Sequence, residues 1–327
     1  MIKRCCALMA VCLSAYLWGC QQQKEQGGVP VVGFVEAFED ATIAQAYEGF
    51  VKALRDSGYS ESDTTLEIIR RNAQGDAATL NQIISYFNSR KVALIGTSTT
   101  LATIAAVQRS EDIPVFQTVT AMPDILGLLA ADGEAPHNLF GVGENLAYID
   151  TSFTLITEMV KPKSAQLTVG MIYNQSEPQS VEAYERIAGI ADSMNTHLVA
   201  LPLNSSAEAQ LVVRSLLAKK IDAFFANPDN TVFAAFETIL KNCNDKGVPV
   251  FTSESGLVMR GAVAAFGADI YHWGYQSGLQ AAGYLKSGST DSLEVEMLHV
   301  RKRVYNPEAA KRFGYVFPDT FDAITSK

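Results

Sequence analysis

Two short stretches of this chain carry polar side chains at the end of an apolar run, where charge can be held. In the first, Val92–Gly96 leads into Thr97-Ser98-Thr99-Thr100, which opens an apolar helical pattern. The unpaired N–H groups of a first helical turn, with the positive end of the helix dipole behind them, attract a carboxylate or phosphate. Thr97, Ser98 and Thr99 can add hydroxyl donors. The other reading is that one hydroxyl is the N-cap of a helix Thr100–Gln108 and the rest are solvated. In the second stretch, Ile221–Ala226 leads into Asn227-Pro228-Asp229-Asn230. Here Asp229 or Asn230 either caps the next helix or, in the case of Asp229, accepts hydrogen bonds from a ligand cation such as an α-ammonium. Taken together, the two stretches present opposite charges to a zwitterion. Asn72, Gln74, Gln117, Thr120, Asn174, Gln175 and Glu254 lie at the ends of the other apolar runs, where each also reads as a cap or turn residue. Phe38, Tyr173 and Phe225, at or near such ends, are either core or a stacking wall for an aromatic ligand.

No catalytic set accompanies these residues. His137, His197, His272 and His299 show no metal-ligand spacing, no Gly-x-Ser-x-Gly elbow occurs, and Gly141-Val142-Gly143 lacks the third glycine of a dinucleotide fingerprint and follows no expected strand. The pattern points to binding without an enzyme, a cofactor or a metal. Lys163, Arg70-Arg71 and Arg301-Lys302-Arg303 read as solvated cations.

The elements that must position the polar ends alternate regularly. Val29–Val35, Leu66–Ile69, Val92–Gly96 and Ile113–Val119 are strands, with helices marked by Ile43, Phe50 and Leu54 and by Leu80, Ile84 and Phe87 between them. After a Gly- and Pro-containing passage, Gly133–Gly143, the alternation repeats. Helix Leu146–Val160 comes first, then strand Leu167–Tyr173, helix Val181–Met194, strand Leu198–Leu203, helix Ala207–Lys219, strand Ile221–Ala226, helix Thr231–Asn242 and strand Val248–Thr252. This predicts an α/β protein of two doubly wound parallel-sheet lobes with a ligand cleft between them. The first lobe is expected to comprise residues 29–142 plus about 260–290, the latter including Ala262–Phe266 and the helix His272–Leu285. The second takes 143–259 plus about 291–327. In Asn306-Pro307 with Gly314, a short final helix has its cap, its N1 proline and its C′ glycine. The loops facing the cleft are Glu36–Asp40, Asn72–Asp76, Gly96–Thr99, Gln117–Thr120, Asn174–Glu177, Asn227–Asn230 and Ser253–Ser255.

With 327 residues and 48% of them hydrophobic, the chain has material for two ordinary cores. The N-terminus is not part of them. Lys3-Arg4 precede the apolar run Cys5–Gly19, which has the layout of a signal peptide and is shorter than the roughly 20 residues that span a bilayer. It ends at Leu17-Trp18-Gly19-Cys20, which resembles a bacterial lipobox, so residues 1–19 are read as leader, Cys20 as the lipidated residue and 20–28 as a flexible tether. Of the 5 cysteines, Cys243 alone then belongs to the folded part, as a helix or core residue. Loss of Lys3 and Arg4 takes the formal charge from −9 to about −11, an acidic balance that argues against nucleic acid as a partner.

Several motifs in order carry a resemblance over nearly the whole mature chain. They are Gly49-Phe50 with Gly58-Tyr59, Asn72-Ala73-Gln74-Gly75-Asp76, Ile95-Gly96-Thr97, Ile113-Pro114-Val115-Phe116, Asp229-Asn230 and Val248-Pro249-Val250-Phe251. Gly261-Ala262, Gly274 with Gly278, Gly288, and Asn306-Pro307 with Ala310 and Gly314 complete the set. The chain resembles the ABC transporter substrate-binding lipoproteins of the tryptophan/tyrosine-type family, a branch of the type I periplasmic binding proteins. The resemblance implies an extracytoplasmic receptor, tethered by lipid to the membrane, that closes on an amino acid, often aromatic, and delivers it to an ABC permease and its ATPase. It also implies that Thr97 and Ser98 hold the carboxylate and Asp229 the ammonium. Two loops depart from the family pattern. Glu36-Ala37-Phe38 stands where Glu-His-Pro is common, and Thr120-Ala121-Met122-Pro123 where Thr-Asp-Pro is common. Both border the cleft, which leaves open a sugar, nucleoside or other metabolite as ligand, or a sensory or adhesin role. If Cys20 carries the lipid, Cys20→Ser yields a soluble or uncleaved protein. Membrane fractionation checks this, and membrane retention of a correctly processed mutant would refute the anchor.

Overall fold

The computed structural model describes residues 28–110 and 112–324. The leader, Cys20 and all of the expected tether except Gly28 lie outside the described residues.

The first sheet is wholly parallel and contains β1 (Val31–Glu36), β2 (Glu67–Asn72), β3 (Leu94–Ser98), β4 (Val115–Thr118), β5 (Leu139–Gly143) and β11 (Val295–Met297), in the order β11-β5-β4-β3-β1-β2. Its inner strands β1, β3, β4 and β5 are buried along their length because helices cover both faces, whereas the edge strands β2 and β11 carry charged residues. Phe34 and Phe116 face α1 (Ala44–Asp56) and α10 (Ile270–Ser287), where Phe50, Leu54 and Ala281 meet them. Val35, Ile95 and Val115 face α2 (Ala77–Arg90) and α3 (Thr100–Arg109) through Ile84, Phe87, Ala102 and Ala106.

The second lobe repeats the design. Its parallel sheet has the order β7-β6-β8-β9, from β6 (Thr168–Tyr173), β7 (His197–Pro202), β8 (Ala223–Ala226) and β9 (Val250–Thr252). On one face lie α4 (Ala147–Met159) and α5 (Pro178–Ser193). On the other lie α6 (Ala209–Leu217) and α8 (Phe236–Asp245), with the short α7 (Asn230–Ala234) before it. Cys243 is buried in α8, and burial pushes its thiol up to about 12, as suits a core residue. Beside β9 and the short α9 (Ser255–Met259), a small sheet is built from β10 (Ala264–Ala268), β12 (Arg301–Tyr305) and β13 (Asp322–Ala323). Asn306 caps α11 (Pro307–Phe313), and Gly314 closes it in the left-handed conformation.

Several expectations are corrected. Ala264–Ala268 pairs antiparallel with β12 beside the second lobe, so of the segment about 260–290 it is α10 that returns to the first lobe, and Val295–Met297 follows it as an edge strand there. Leu139–Gly143 is a strand and not a separator. Its glycines hid it, and they are there for closeness, since a Cβ on Gly141 would lie 2.6 Å from the Gln117 backbone. Arg301-Lys302-Arg303 is only partly solvated: Arg303 is exposed, but all three cations have partners. Arg301 pairs with buried Glu144 at 2.7 Å, Lys302 with Asp269 at 2.5 Å, and Arg303 lies 4.4 Å over the Phe266 ring. Arg70 likewise forks onto Glu36 at 2.7 and 2.8 Å and covers Tyr47.

Three crossovers join the lobes, between β5 and α4, between β10 and α10, and between β11 and β12. The Glu144–Arg301 and Asp269–Lys302 pairs tie them to one another. Helix α10 is anchored to the first lobe by close contact with α1. A Cβ on Gly274 would lie 1.8 Å from the Ala46 carbonyl oxygen, and one on Gly49 1.9 Å from that of Tyr271. At Gly49, Gly274 and Gly278 the glycines of the sequence motif are therefore a packing requirement. Gly274→Ala is expected to cost about 1–3 kcal/mol or more in urea unfolding. Gly189→Ala, on α5 with nothing within 4 Å of the new methyl, should gain about 0.5–1 kcal/mol.

Candidate ligand-binding site

Strand order reverses at β1/β3 in the first lobe and β6/β8 in the second, and ligands of open α/β sheets bind beyond such points. Between the lobes lies a small closed cavity of about 10 Å³, room for a single water, so a ligand is admitted only when the lobes part. Val119, Ile270 and Trp273 line it from one side, and Tyr148, Phe233 and Glu254 from the other, together with the Pro228–Asn230 turn and Gln179.

At the start of α3, Thr99 is held at φ 83°, and no side chain caps the helix. The hydroxyls divide by what they already do. Thr103 donates to the Thr99 carbonyl, so the 2.9 Å contact between Thr97 and Thr103 uses the proton of Thr97. Thr100 donates across the lobes to Gln179 Oε1 at 3.0 Å, which leaves Thr120 to donate to Thr100. Ser98 Oγ and Thr99 Oγ1 are buried with no protein partner. Thr97 thus has no proton to offer a carboxylate, whereas Ser98 and Thr99 do.

Asp229 lines the cavity, yet its carboxylate is fully engaged. One oxygen accepts from the N–H groups of Thr231 and Val232, at 2.7 and 2.9 Å, and caps α7. The other accepts from the Asn174 N–H at 2.6 Å and from the Ser180 hydroxyl. Four donors fill the roughly four lone-pair positions of a carboxylate, so an ammonium could reach it only by displacing one. Around it, Asn174 donates to Glu177 and Thr231, and Asn230 donates to Glu177 at 2.7 Å. Burial and the neighbouring Asp229 raise Glu177 to about 7. Asn174 and Asn230 are therefore occupied in shaping the wall.

Glu254 differs. One oxygen accepts from the Tyr148 hydroxyl at 2.9 Å, and Oε2 is buried without a partner. Burial raises this acid to about 8, with smaller contributions from Glu144 and Asp269 in the same direction. A cation brought to Oε2 would stabilise the ionised form. Gln117 is buried, donates to the Ala121 carbonyl at 3.3 Å and keeps Oε1 unpartnered.

Of the expected site residues, Asp229, Asn230 and Glu254 line the cavity, and Thr97, Ser98, Thr99, Gln117, Thr120 and Asn174 do not; the remaining candidates are engaged elsewhere. Asn72 bridges two first-lobe loops through the Phe38 carbonyl and the Gln74 N–H, and Gln74 is exposed. Phe38 and Gln74 border a separate groove, with Asn204, Ser205 and Thr231. Tyr173 stacks on Tyr184, and Phe225 is buried against Phe153. The aromatic walls are instead Tyr148, Phe233 and Trp273, residues that sequence reasoning read as helical positions or passed over. The signal available for two of them was position, since Tyr148 and Trp273 stand in the first turns of helices that follow crossovers.

Residues 29–325 match the family model described as ABC transporter substrate binding protein. A tyrosine-binding protein of Clostridioides difficile (strain R20291) is 30% identical over 280 residues, covering 86% of this chain and 79% of that one. Among solved structures, a conserved domain protein from Vibrio cholerae has a TM-score of 0.80 at 26% identity, covering 91% and 100% of the two chains. An ABC domain in complex with L-Trp from Streptococcus pneumoniae has 0.79 at 21% identity, covering 89% and 96%. The ligand-free, open form of a Clostridium difficile substrate-binding protein with adhesive properties has 0.67 at 27% identity, covering 91% and 100%.

Stability measurements separate the two acids. Asp229→Ala removes a helix cap and strands buried donors, so it should destabilise the ligand-free protein by about 2 kcal/mol or more. For Glu254 the folded state keeps a proton that the unfolded chain loses above its ordinary value of 4.5, up to about 8. Its contribution to stability is then present at low pH and lost as pH rises through that window. Glu254→Gln should gain on the native protein across it, by at most about 1.4 kcal/mol per pH unit. Urea unfolding between pH 5 and 9 reads both effects.

Proposed function

Because the chain belongs to the ABC transporter substrate-binding proteins, we propose that it captures a free amino acid, aromatic by preference, in the cavity between its lobes and delivers it to a permease. The observation that carries this reading is the buried Oε2 of Glu254, which has no partner and lies where Tyr148, Phe233 and Trp273 meet between the lobes, a space that opens to a ligand as the lobes part.

In this reading the ligand carboxylate sits at the uncapped start of α3, where Ser98 and Thr99 supply hydroxyls and the helix dipole favours negative charge. The ammonium pairs with Glu254 Oε2, which then ionises. Asp229 builds the wall that faces the ligand, and Gln179 and Thr100 join the lobes beside it. The aromatic side chain lies among Tyr148, Phe233 and Trp273. Ligand contacts drawn from both lobes favour the closed state over the open one, which is how such a receptor signals occupancy. Attachment through lipid at Cys20 and partnership with an importer's permease and ATPase belong to the same proposal. The leader-like N-terminus supports the first and the family the second. The tyrosine-binding relative supports an aromatic ligand.

A thermal-shift screen over amino acids, sugars and nucleosides tests the class of ligand. L-tyrosine or L-tryptophan is expected to stabilise the protein, by about 2.7 kcal/mol at 100 times its dissociation constant. No shift from any amino acid overturns the reading. Glu254→Gln should weaken binding by about 2–5 kcal/mol, roughly 30-fold or more, since it leaves a buried ammonium without its counter-charge. Calorimetry in buffers of differing ionisation heat should also register proton release on binding near neutral pH.

A further inference from the structure

Outside the cavity, one side chain makes more contacts between the lobes than the fold of its own lobe requires. Arg260, at the end of α9 in the second lobe, uses all five of its N–H groups. Nε and Nη2 donate to the two oxygens of Glu237, both at 2.8 Å, and Nη2 also donates to the Phe233 carbonyl at 3.0 Å. Nη1 crosses to the first lobe, donating to Asp40 Oδ2 at 2.7 Å and to Thr42 Oγ1 at 3.1 Å. The guanidinium lies 5.1 Å over the Phe236 ring.

Its partner in the first lobe is equally committed. The other oxygen of Asp40 accepts from the N–H groups of Thr42 and Ile43, at 2.7 and 3.0 Å, just ahead of α1. Asp40 is 3% exposed and Arg260 17%, so water and salt screen the pair little. Ile43 is fully buried and packs in the apolar cluster of the second lobe with residues such as Phe233 and Leu257. Separating the lobes here would expose that isoleucine and leave Asp40 Oδ2 and the two Nη1 donors of Arg260 without their partners. Phe233 contributes its carbonyl to Arg260 and lines the ligand cavity.

We propose that Arg260 is a positioning residue for ligand capture, a latch to Asp40 that holds the lobes together and links their contact to the cavity wall through Phe233. It touches no ligand. It acts by raising the fraction of molecules in the closed arrangement, and apparent affinity scales with the fraction competent to bind. The affinity part of this proposal rests on the amino-acid reading above, and the latch itself does not.

The test is a double-mutant cycle of Asp40→Asn and Arg260→Gln in the full-length protein, read in two ways. In the ligand-free protein, small-angle scattering should show a larger radius of gyration for each variant than for the native chain. With L-tyrosine and L-tryptophan as probes, followed by surface plasmon resonance on the immobilised protein, each single variant should raise the dissociation constant at least tenfold. The increase should appear mainly in the dissociation rate, and the double variant should add little to either single one. Additive effects, or an Asp40→Asn variant that binds and scatters as the native protein does, would mean that Arg260 merely fastens α9 to α8 through Glu237, and would overturn the latch. Glu237→Gln serves as the control for that role and should leave the radius of gyration unchanged. If neither amino acid binds the native protein, the functional reading falls while the scattering comparison still decides the latch.

Discussion

The buried carboxylate of Asp229 organises the second lobe's side of the cleft. A carboxylate taken out of water must be met by donors or it neutralises, and here four donors come from three separate places: the end of β6, the first turn of α5 and the start of α7. Those bonds set the positions of Asn174, Ser180 and Thr231. Through Asn174, Asn230 and Thr231 they also fix Glu177, whose own carboxyl is raised by burial and by the negative charge of Asp229. With this network closed on itself, the acid left with a spare oxygen at the cavity is Glu254. The distinction between an acid that is saturated and one that keeps a free oxygen is therefore a matter of counting donors.

The same economy of partners runs through the joints between the lobes. Crossing segments are polar, and each buried charge in them has an opposite one from another crossing: Glu144 with Arg301, and Asp269 with Lys302. Helix α10 begins at one crossing and runs down the first lobe against α1, with Gly274 and Gly278 allowing backbone-to-backbone approach. Trp273 is held in its first turns by an indole N–H bond to the Val142 carbonyl at 2.8 Å. One wall of the cavity is thus fixed to the joint about which the lobes would move.

The alternation of strands and helices was legible because buried parallel strands read as apolar runs and the helices between them carry apolar faces. The strand Leu139–Gly143 was not, because close approach to β4 demanded glycine where a strand signal wants a branched side chain. Nor was β12, since three consecutive cations suggest solvent until Glu144, Asp269 and the Phe266 ring, all distant in sequence, are brought to them. At the site, both polar stretches after Gly96 and after Ala226 border the cleft region, and the position of Asp229 on the cavity was readable. Its role was not, because the donors that saturate it include Asn174 and Ser180, some fifty residues earlier in the sequence. Nor is the engagement of Thr97 readable, its proton being directed to Thr103 by the bond that Thr103 makes to the Thr99 carbonyl. For Tyr148 and Trp273 spacing is no guide, as an aromatic residue at a cavity has the same helical spacing as one in a core, and position just after a crossover is the one cue.

The electrostatics of the cavity bear on the class of ligand more directly than its shape does. A closed cleft around Glu254 must either keep the acid protonated or provide a cation, because burial makes the lone charge expensive and Glu144 and Asp269 add to the cost. A neutral ligand such as a sugar leaves the proton in place and gains only an ordinary hydrogen bond, worth about 0.5–1.5 kcal/mol net. An ammonium lets the carboxylate ionise and form a charge-assisted bond roughly twice as strong, with the Tyr148 hydroxyl supporting the negative charge from the other oxygen. In the facing lobe the start of α3 is uncapped and carries two unclaimed hydroxyls, those of Ser98 and Thr99, an environment that favours a carboxylate. Full compensation requires both charges on one small molecule that reaches both lobes, and a free amino acid is the simplest chemistry that meets this condition.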